Sequence, residues 1–180
     1  MKKSIFSALC LVLLATTTQS AWGAEATETA TFKSKSWEIV DGSNFSWTSG
    51  KDGNGFTNNQ GVQITTGVSG ANATTSKSFT NISKIEVTYC TNSSKGKGTI
   101  TLQVGTGTEQ SFSVSAPSSG GTTRKTTTFN YATPESGAVK LTVACTTNSI
   151  YIYSVTITYS TGSTPTTHYF GQELADPPTP

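Results

Sequence analysis

Ser149 to Tyr159 reads Ser-Ile-Tyr-Ile-Tyr-Ser-Val-Thr-Ile-Thr-Tyr, and this is the longest β-run in the chain. Its apolar residues recur at every second position, the period of an extended strand whose two faces meet different surroundings. The phase changes near Ser154: Ile150 and Ile152 share one face, Val155 and Ile157 the other. Either both faces of this strand are covered, or a bulge at Ser154 flips the register.

The same alternation runs through Lys84–Tyr89, with Ile85, Val87 and Tyr89 on one side, and through Thr99–Val104, with Ile100, Leu102 and Val104. Phe112 with Val114, and Val139 with Leu141 and Val143, repeat it. Weaker strands are expected near Thr31–Lys33, Trp37–Val40, Phe45–Trp47, Val62–Thr66, Ser76–Phe79 and Thr126–Tyr131. Gly105-Thr106-Gly107-Thr108 fits a tight hairpin, Asn92 to Gly98 a longer turn, and Pro117–Gly121 and Pro134–Gly137 loops. Thr (35 residues) and Ser (24) make up about a third of the chain, a composition that favours strands and turns over helices. Roughly nine to eleven short strands at this spacing point to an all-β fold, a jelly-roll-like β-sandwich, with an immunoglobulin-like sandwich as the alternative.

The N-terminus has the layout of a signal peptide over residues 1–24: basic Met1-Lys2-Lys3-Ser4, an apolar run from Ile5 to Ala15, then a small, polar stretch to Ala24. The apolar run is shorter than the roughly 20 residues needed to span a bilayer. Cleavage after Gly23 and cleavage after Ala26 both satisfy the small-residue rule. Cys10 lies too early, behind bulky Leu9, for a lipidated cysteine, and leaves with the leader. The whole chain has 12 Lys+Arg and 10 Asp+Glu. Lys2 and Lys3 leave with the leader, so the exported part is near neutral. It lacks the basic patch that nucleic acid or an anionic membrane requires, and no later segment is long and apolar enough to cross a membrane. The expectation is an exported monomer, in the periplasm, at the cell surface or secreted. Its single module would span residues 30–159, followed by a disordered Pro/Thr-rich tail or linker over 160–180. Such a linker would fit a shortened form of a longer, modular protein.

No catalytic set stands out. The only histidine, His168, lies in that tail, whereas a Ser–His–Asp triad or a His-based zinc site needs a positioned His. Glu38, Asp41, Asp52, Glu86, Glu109 and Glu135 are isolated acids rather than a glycosidase pair. No enzyme activity, cofactor or metal is therefore expected. Asp52-Gly53-Asn54-Gly55 carries oxygen ligands but has the length of a plain turn, not of a calcium loop. The Asn-x-Ser/Thr triplets at Asn44, Asn72, Asn81 and Asn92 are what chance gives in so hydroxyl-rich a chain. Cys90 and Cys145 each end a β-run, so a disulfide is one alternative; their opposite phases make two separate thiols the other. Trp37, Trp47 and Phe56 lie among Asp, Asn, Ser and Gly, and Tyr151 and Tyr153 share a face of the last strand. Flat aromatic rings beside amides and carboxylates are the chemistry of sugar binding; the competing assignment puts both tryptophans in the core.

Ile82 to Ile100, with its Thr91-Asn92-Ser93 turn, and Asn148 to Tyr159 together resemble β-sandwich modules found in secreted and surface proteins of the Bacteroidetes. The likeness covers about Thr31 to Tyr159. It implies an accessory module beside adhesive or degradative domains, with no catalytic residue and no disulfide carried over. The resulting expectation is a binding or adhesion module of the cell envelope, with a glycan or another envelope protein as partner. The alternative is a structural spacer with no ligand of its own.

Overall fold

The structure is a computed structural model that describes residues 23–40, 43–68, 70–116 and 123–162. The described residues form eleven strands: β1 (Glu25–Thr31), β2 (Trp47–Lys51), β3 (Gly55–Thr57), β4 (Gly61–Thr65), β5 (Ala71–Thr75), β6 (Phe79–Thr91), β7 (Lys97–Val104), β8 (Gln110–Ser115), β9 (Lys125–Gly137), β10 (Val139–Thr147) and β11 (Ser149–Ser160). One sheet runs β3-β4-β11-β6-β9, with β1 also paired to β11; the other runs β2-β5-β10-β7-β8. The pairs β7·β8, β6·β9, β5·β10 and β4·β11 nest inside one another, as in one long antiparallel hairpin rolled across two sheets. That nesting is a jelly roll, and it sets aside the immunoglobulin-like alternative. No helix among the described residues is long and apolar enough to cross a membrane.

β11 organises the first sheet. β6 runs along one side of it. On the other side β4 pairs with Ser149 to Ile152, and β1 takes over from Ser154 to Ser160. The phase change has the bulge as its cause: Ile152 faces Tyr89 and Ser154 faces Thr88, which leaves Tyr153 as the extra residue. Ile150, Ile152, Val155 and Ile157 are consequently all buried in the one core between the sheets. Gly61 packs directly on the bulge with φ +101°, and a Cβ there would stand 2.0 Å from the Ile152 carbonyl oxygen. Only glycine fits that backbone and that contact.

Several weaker expectations shift. Trp37–Val40 is not a strand; its one β contact is an isolated bridge between Phe32 and Ile39. The strand sought at Ser76–Phe79 lies earlier, at Ala71–Thr75, and Phe79 already opens β6. Pro134–Gly137 continues β9 instead of forming a loop. β9 is a sheet edge, where a proline costs no ladder hydrogen bond. Pro117–Gly121, residues 1–22 and residues 163–180 lie outside the described residues, and with them most of the leader, most of the tail, Cys10 and His168. Asp41 lies outside them too.

A run of aromatic rings lines one flank of the core. Phe32 meets Trp37 and Trp47 edge-on at 5.2 and 5.7 Å. Phe45 links Trp47 to Phe79, and Phe79 meets Tyr159 at 5.0 Å. The Lys77 ammonium lies 4.8 Å from the Phe79 ring centre and 2.7 Å from Glu28 Oε1. That oxygen also accepts a 2.7 Å hydrogen bond from the Tyr159 hydroxyl. Burial, the largest single influence, pushes the Glu28 carboxyl up; the Lys77 and Tyr159 bonds and the Lys77 charge together outweigh it and hold the group below its ordinary 4.5. A carboxyl depressed by folding contributes stability that is complete above its unfolded value and disappears as pH falls through the folded one. The wild-type melting temperature is therefore expected to exceed that of Glu28→Gln at pH 6, with the gap closing below about pH 4. Parallel melting curves between pH 3 and 7 check this, and a constant gap over that range would refute it.

Candidate functional site

The outer face of the first sheet brings chain-distant polar groups together. Gln63 of β4, Tyr151 of β11 and Cys90 of β6 form one row across three strands, by register. Gln63 Nε2 donates to the Tyr151 hydroxyl at 2.9 Å and approaches Ser149 Oγ at 3.4 Å. The tight β3–β4 turn, closed by Gln60 N donating to the Thr57 carbonyl at 3.1 Å, carries Asn58, Asn59 and Gln60 beside this row. Gln60 Oε1 accepts from Thr57 Oγ1 at 3.2 Å.

Arg124, just before β9, spans this face. Its guanidinium carbon lies 3.3 Å from the centre of the Tyr153 ring. Its Nε and Nη2 both donate to the Asn59 carbonyl, the first at 3.0 Å. It is the chain's only arginine. A guanidinium laid on an aromatic face gains cation–π attraction, and its rigid fork loses little freedom when pinned. Further along the outer face Thr29 and Thr156 pair by their hydroxyls at 2.9 Å, Thr88 and Thr126 at 3.1 Å, Lys84 is neutralised by Glu86 at 3.1 Å, and the Glu25 carboxylate accepts from Ser83 Oγ at 3.3 Å. Arg124 itself has no carboxylate partner among the described residues. Sequence reasoning passed over it; its being the sole arginine, at the end of a Gly- and Thr-rich loop, was the available signal.

The aromatic residues picked from sequence fare differently. Trp37 is 0% exposed and Trp47 5%, both in the core, so neither offers a face to a sugar. Trp37 is fixed there with φ 63° and its Nε1 donating to the Lys51 carbonyl at 3.0 Å. Tyr151 is buried, its ring flanked by Gln63 and Cys90. Burial raises the Tyr151 hydroxyl's pKa, the adjacent Cys90 adds to the rise, and Ser149 offsets part of it. Tyr153 is half-buried and covered by Arg124, and Phe56 is half-buried on β3. The usable polar platform is thus Arg124 stacked on Tyr153, with amides around it.

The cysteines do not pair. Cys145 follows Val139, Leu141 and Val143 into the sandwich, where its Sγ approaches the Asn148 carbonyl at 3.2 Å. Cys90 lies on the outer face of the opposite sheet, so the opposed phases keep the sulfurs apart. Burial pushes both thiols up; at Cys90 the Gln60 amide and the Arg124 charge offset part of the rise. Neither is poised as a nucleophile. Asp52 is held below its ordinary value by hydrogen bonds from Ser49 and Ser36, at 2.6 and 2.9 Å. Asn54 Oδ1 accepts from Thr65 N at 3.0 Å. The Asp52–Gly55 oxygens thus serve the turn. Among the described residues no group of three His, Cys, Asp or Glu side chains is placed to hold a metal. At the other end of the same sheet a pocket of about 400 Å³ is bounded by Ala24, Glu25, Asn81, Ser83, Tyr159 and Ser160, but also by Gly23, which both expected cleavage points would remove. Thiol titration is expected to count two reactive groups after denaturation and none reacting quickly in the native protein; a mass two daltons below the reduced form would contradict the separate thiols.

No family model matches the sequence, and no curated protein matches it. Several solved structures are similar in part, among them three involving carbohydrate-related proteins. A family two carbohydrate esterase from Cellvibrio japonicus gives a TM-score of 0.43 at 14% identity over 76% of this chain. The chain spans about a third of that structure's length (34%). A CBM35 from Cellvibrio japonicus Abf62 gives 0.41 at 14% identity, over 76% of this chain and 97% of the other. TmCBM61, in complex with β-1,4-galactotriose, gives 0.35 at 13% identity, over 67% and 89%. Likenesses at these values decide nothing about function, which has to be read from the strand order and the site geometry.

Proposed function

We propose that this protein is an exported, non-catalytic carbohydrate-binding module of the cell envelope, binding glycan on the outer face of the first sheet. The observation that carries this reading is the Arg124–Tyr153 platform, tied to Asn59 and edged by Gln60, Gln63 and Tyr151. Saccharide recognition uses planar groups that a ring can lie against, plus fixed donors and acceptors at its rim. The same set is poor catalytic equipment: the thiol is held neutral, and no acid–base pair adjoins it. The resemblance to Bacteroidetes surface modules supports the same reading. A spacer without a ligand is the alternative, favoured by the hydroxyl-rich remainder of the face, whose threonine pairs satisfy each other.

Export is part of the proposal. Leader cleavage after Gly23 leaves β1 whole, with Glu25 opposite Ser160 and the Ala24 carbonyl accepting from Thr161 N at 3.2 Å. Cleavage after Ala26 would remove two paired residues. The intact mass of the exported protein is expected to begin at Ala24; a mass beginning at Thr27 would refute that choice. For binding, a glycan array probed with residues 24–162 should give hits that Tyr153→Leu and Gln63→Ala weaken roughly tenfold, the scale of one lost hydrogen bond or stacking contact. An array with no hits would leave the spacer reading standing.

A further inference from the structure

We infer that the ligand of this face is an acidic glycan, and that Arg124 takes the carboxylate of a uronic acid residue through its Nη1–Nη2 edge. The inference rests on the carbohydrate-binding reading and adds the charge of the ligand to it.

Among the described residues Arg124 is engaged on two sides. One face lies on Tyr153, and the Nε–Nη2 edge is turned to a single carbonyl, that of Asn59. Among the described residues no acceptor meets the Nη1–Nη2 edge and no carboxylate pairs with the charge. The side chain is exposed. That edge presents two parallel N–H bonds, the fork that matches the two oxygens of a planar carboxylate. Here the stacking and the Asn59 carbonyl hold the cation in place without neutralising it, so the group is preorganised and still charged. Elsewhere on the face another cation, Lys84, is already matched by Glu86, and the hydroxyl pairs Thr29–Thr156 and Thr88–Thr126 satisfy each other. The Gln63 amide oxygen, which its bonds to Tyr151 and Ser149 leave unused, lies on the same sheet face to meet a ring hydroxyl, which places the carboxylate at Arg124 and the sugar body toward Gln63.

Calorimetric titration with α-1,4-trigalacturonate, with its uncharged methyl ester and with inorganic sulfate tests this. The expected result is trigalacturonate binding roughly tenfold or more tighter than the ester, as for a charge-assisted pair set against a neutral one. Arg124→Gln should bring the acid down to the level of the ester. Arg124→Lys should recover only part of the difference, because the ammonium is charged but has no fork. Raising the salt concentration should weaken the acid and leave the ester unchanged. Equal binding of acid and ester, unchanged in Arg124→Gln, would overturn the acidic ligand and leave a neutral glycan site. Sulfate competing as well as trigalacturonate would overturn it in favour of a bare anion site. Binding of neither saccharide would overturn it together with the glycan reading of this face. Unchanged melting of both Arg124 variants shows that lost binding is not lost folding.

Discussion

The bulge in β11 is the constraint on which the rest of the first sheet depends. A continuous strand with the phase of Ser149–Tyr159 would send either Ile150 and Ile152 or Val155 and Ile157 to the outside. One extra residue at Tyr153 turns both pairs inward, and all four are fully buried. Each such aliphatic side chain gains about 1.5–3 kcal/mol when withdrawn from water, so a slipped register would expose several kcal/mol of surface. The same kink sets the neighbours. β4 ends its pairing at the bulge and β1 begins beyond it, and Gly61 exists because no Cβ fits over the Ile152 carbonyl. The β3–β4 turn then falls beside Tyr153, and that position lets the Asn59 carbonyl reach Arg124. Packing and candidate site have one origin.

The architecture also decides where the aromatic residues go. A rolled hairpin closes most of its sandwich with its own strands, but a flank between the sheets still has to be filled. Phe32, Trp37, Phe45 and Trp47, from the irregular stretch around β2, do this together with Phe79. Lys77 and Glu28 finish the flank: an ammonium over the rings satisfies a carboxylate that is itself partly withdrawn from water. The setting of aromatics among Asp, Asn, Ser and Gly looked like a binding loop. Equally, it is how a chain without period-two strands packs large rings and turns sharply around them. Trp37 does both, at a left-handed backbone angle with its ring sealed inside.

The β-runs with strong alternation were legible because burial on one face writes period two directly into the residues. β5 was not, because Ala71, Ala73 and Thr75 are too small to announce an inward face, although all three are buried. β3 is three residues long and leaves no period to read. The bulge was visible as a choice between two geometries, and the cysteines as a choice between a bond and two thiols; opposite phases on strands of different sheets decided the second. Arg124 was illegible for a different reason. Its partners, Asn59 and Tyr153, lie 65 residues before it and on another strand, and only the sheet order β4-β11-β6-β9 lets it reach them.

The near-equal numbers of basic and acidic residues, 12 and 10 over the whole chain, bear on what such a site could do. With no large net field to steer a charged ligand, association would run at the ordinary rate for a docking surface. Selectivity must then come from contacts made after arrival. A single cation fixed on Tyr153 suits this: its pull is short-ranged, since surface charges are largely screened beyond about 8 Å at physiological salt. The hydroxyl rows of Thr29–Thr156 and Thr88–Thr126 add no competing charge. A glycan face built this way would separate ligands by where one acidic group sits relative to a ring, and not by how many charges the polymer carries.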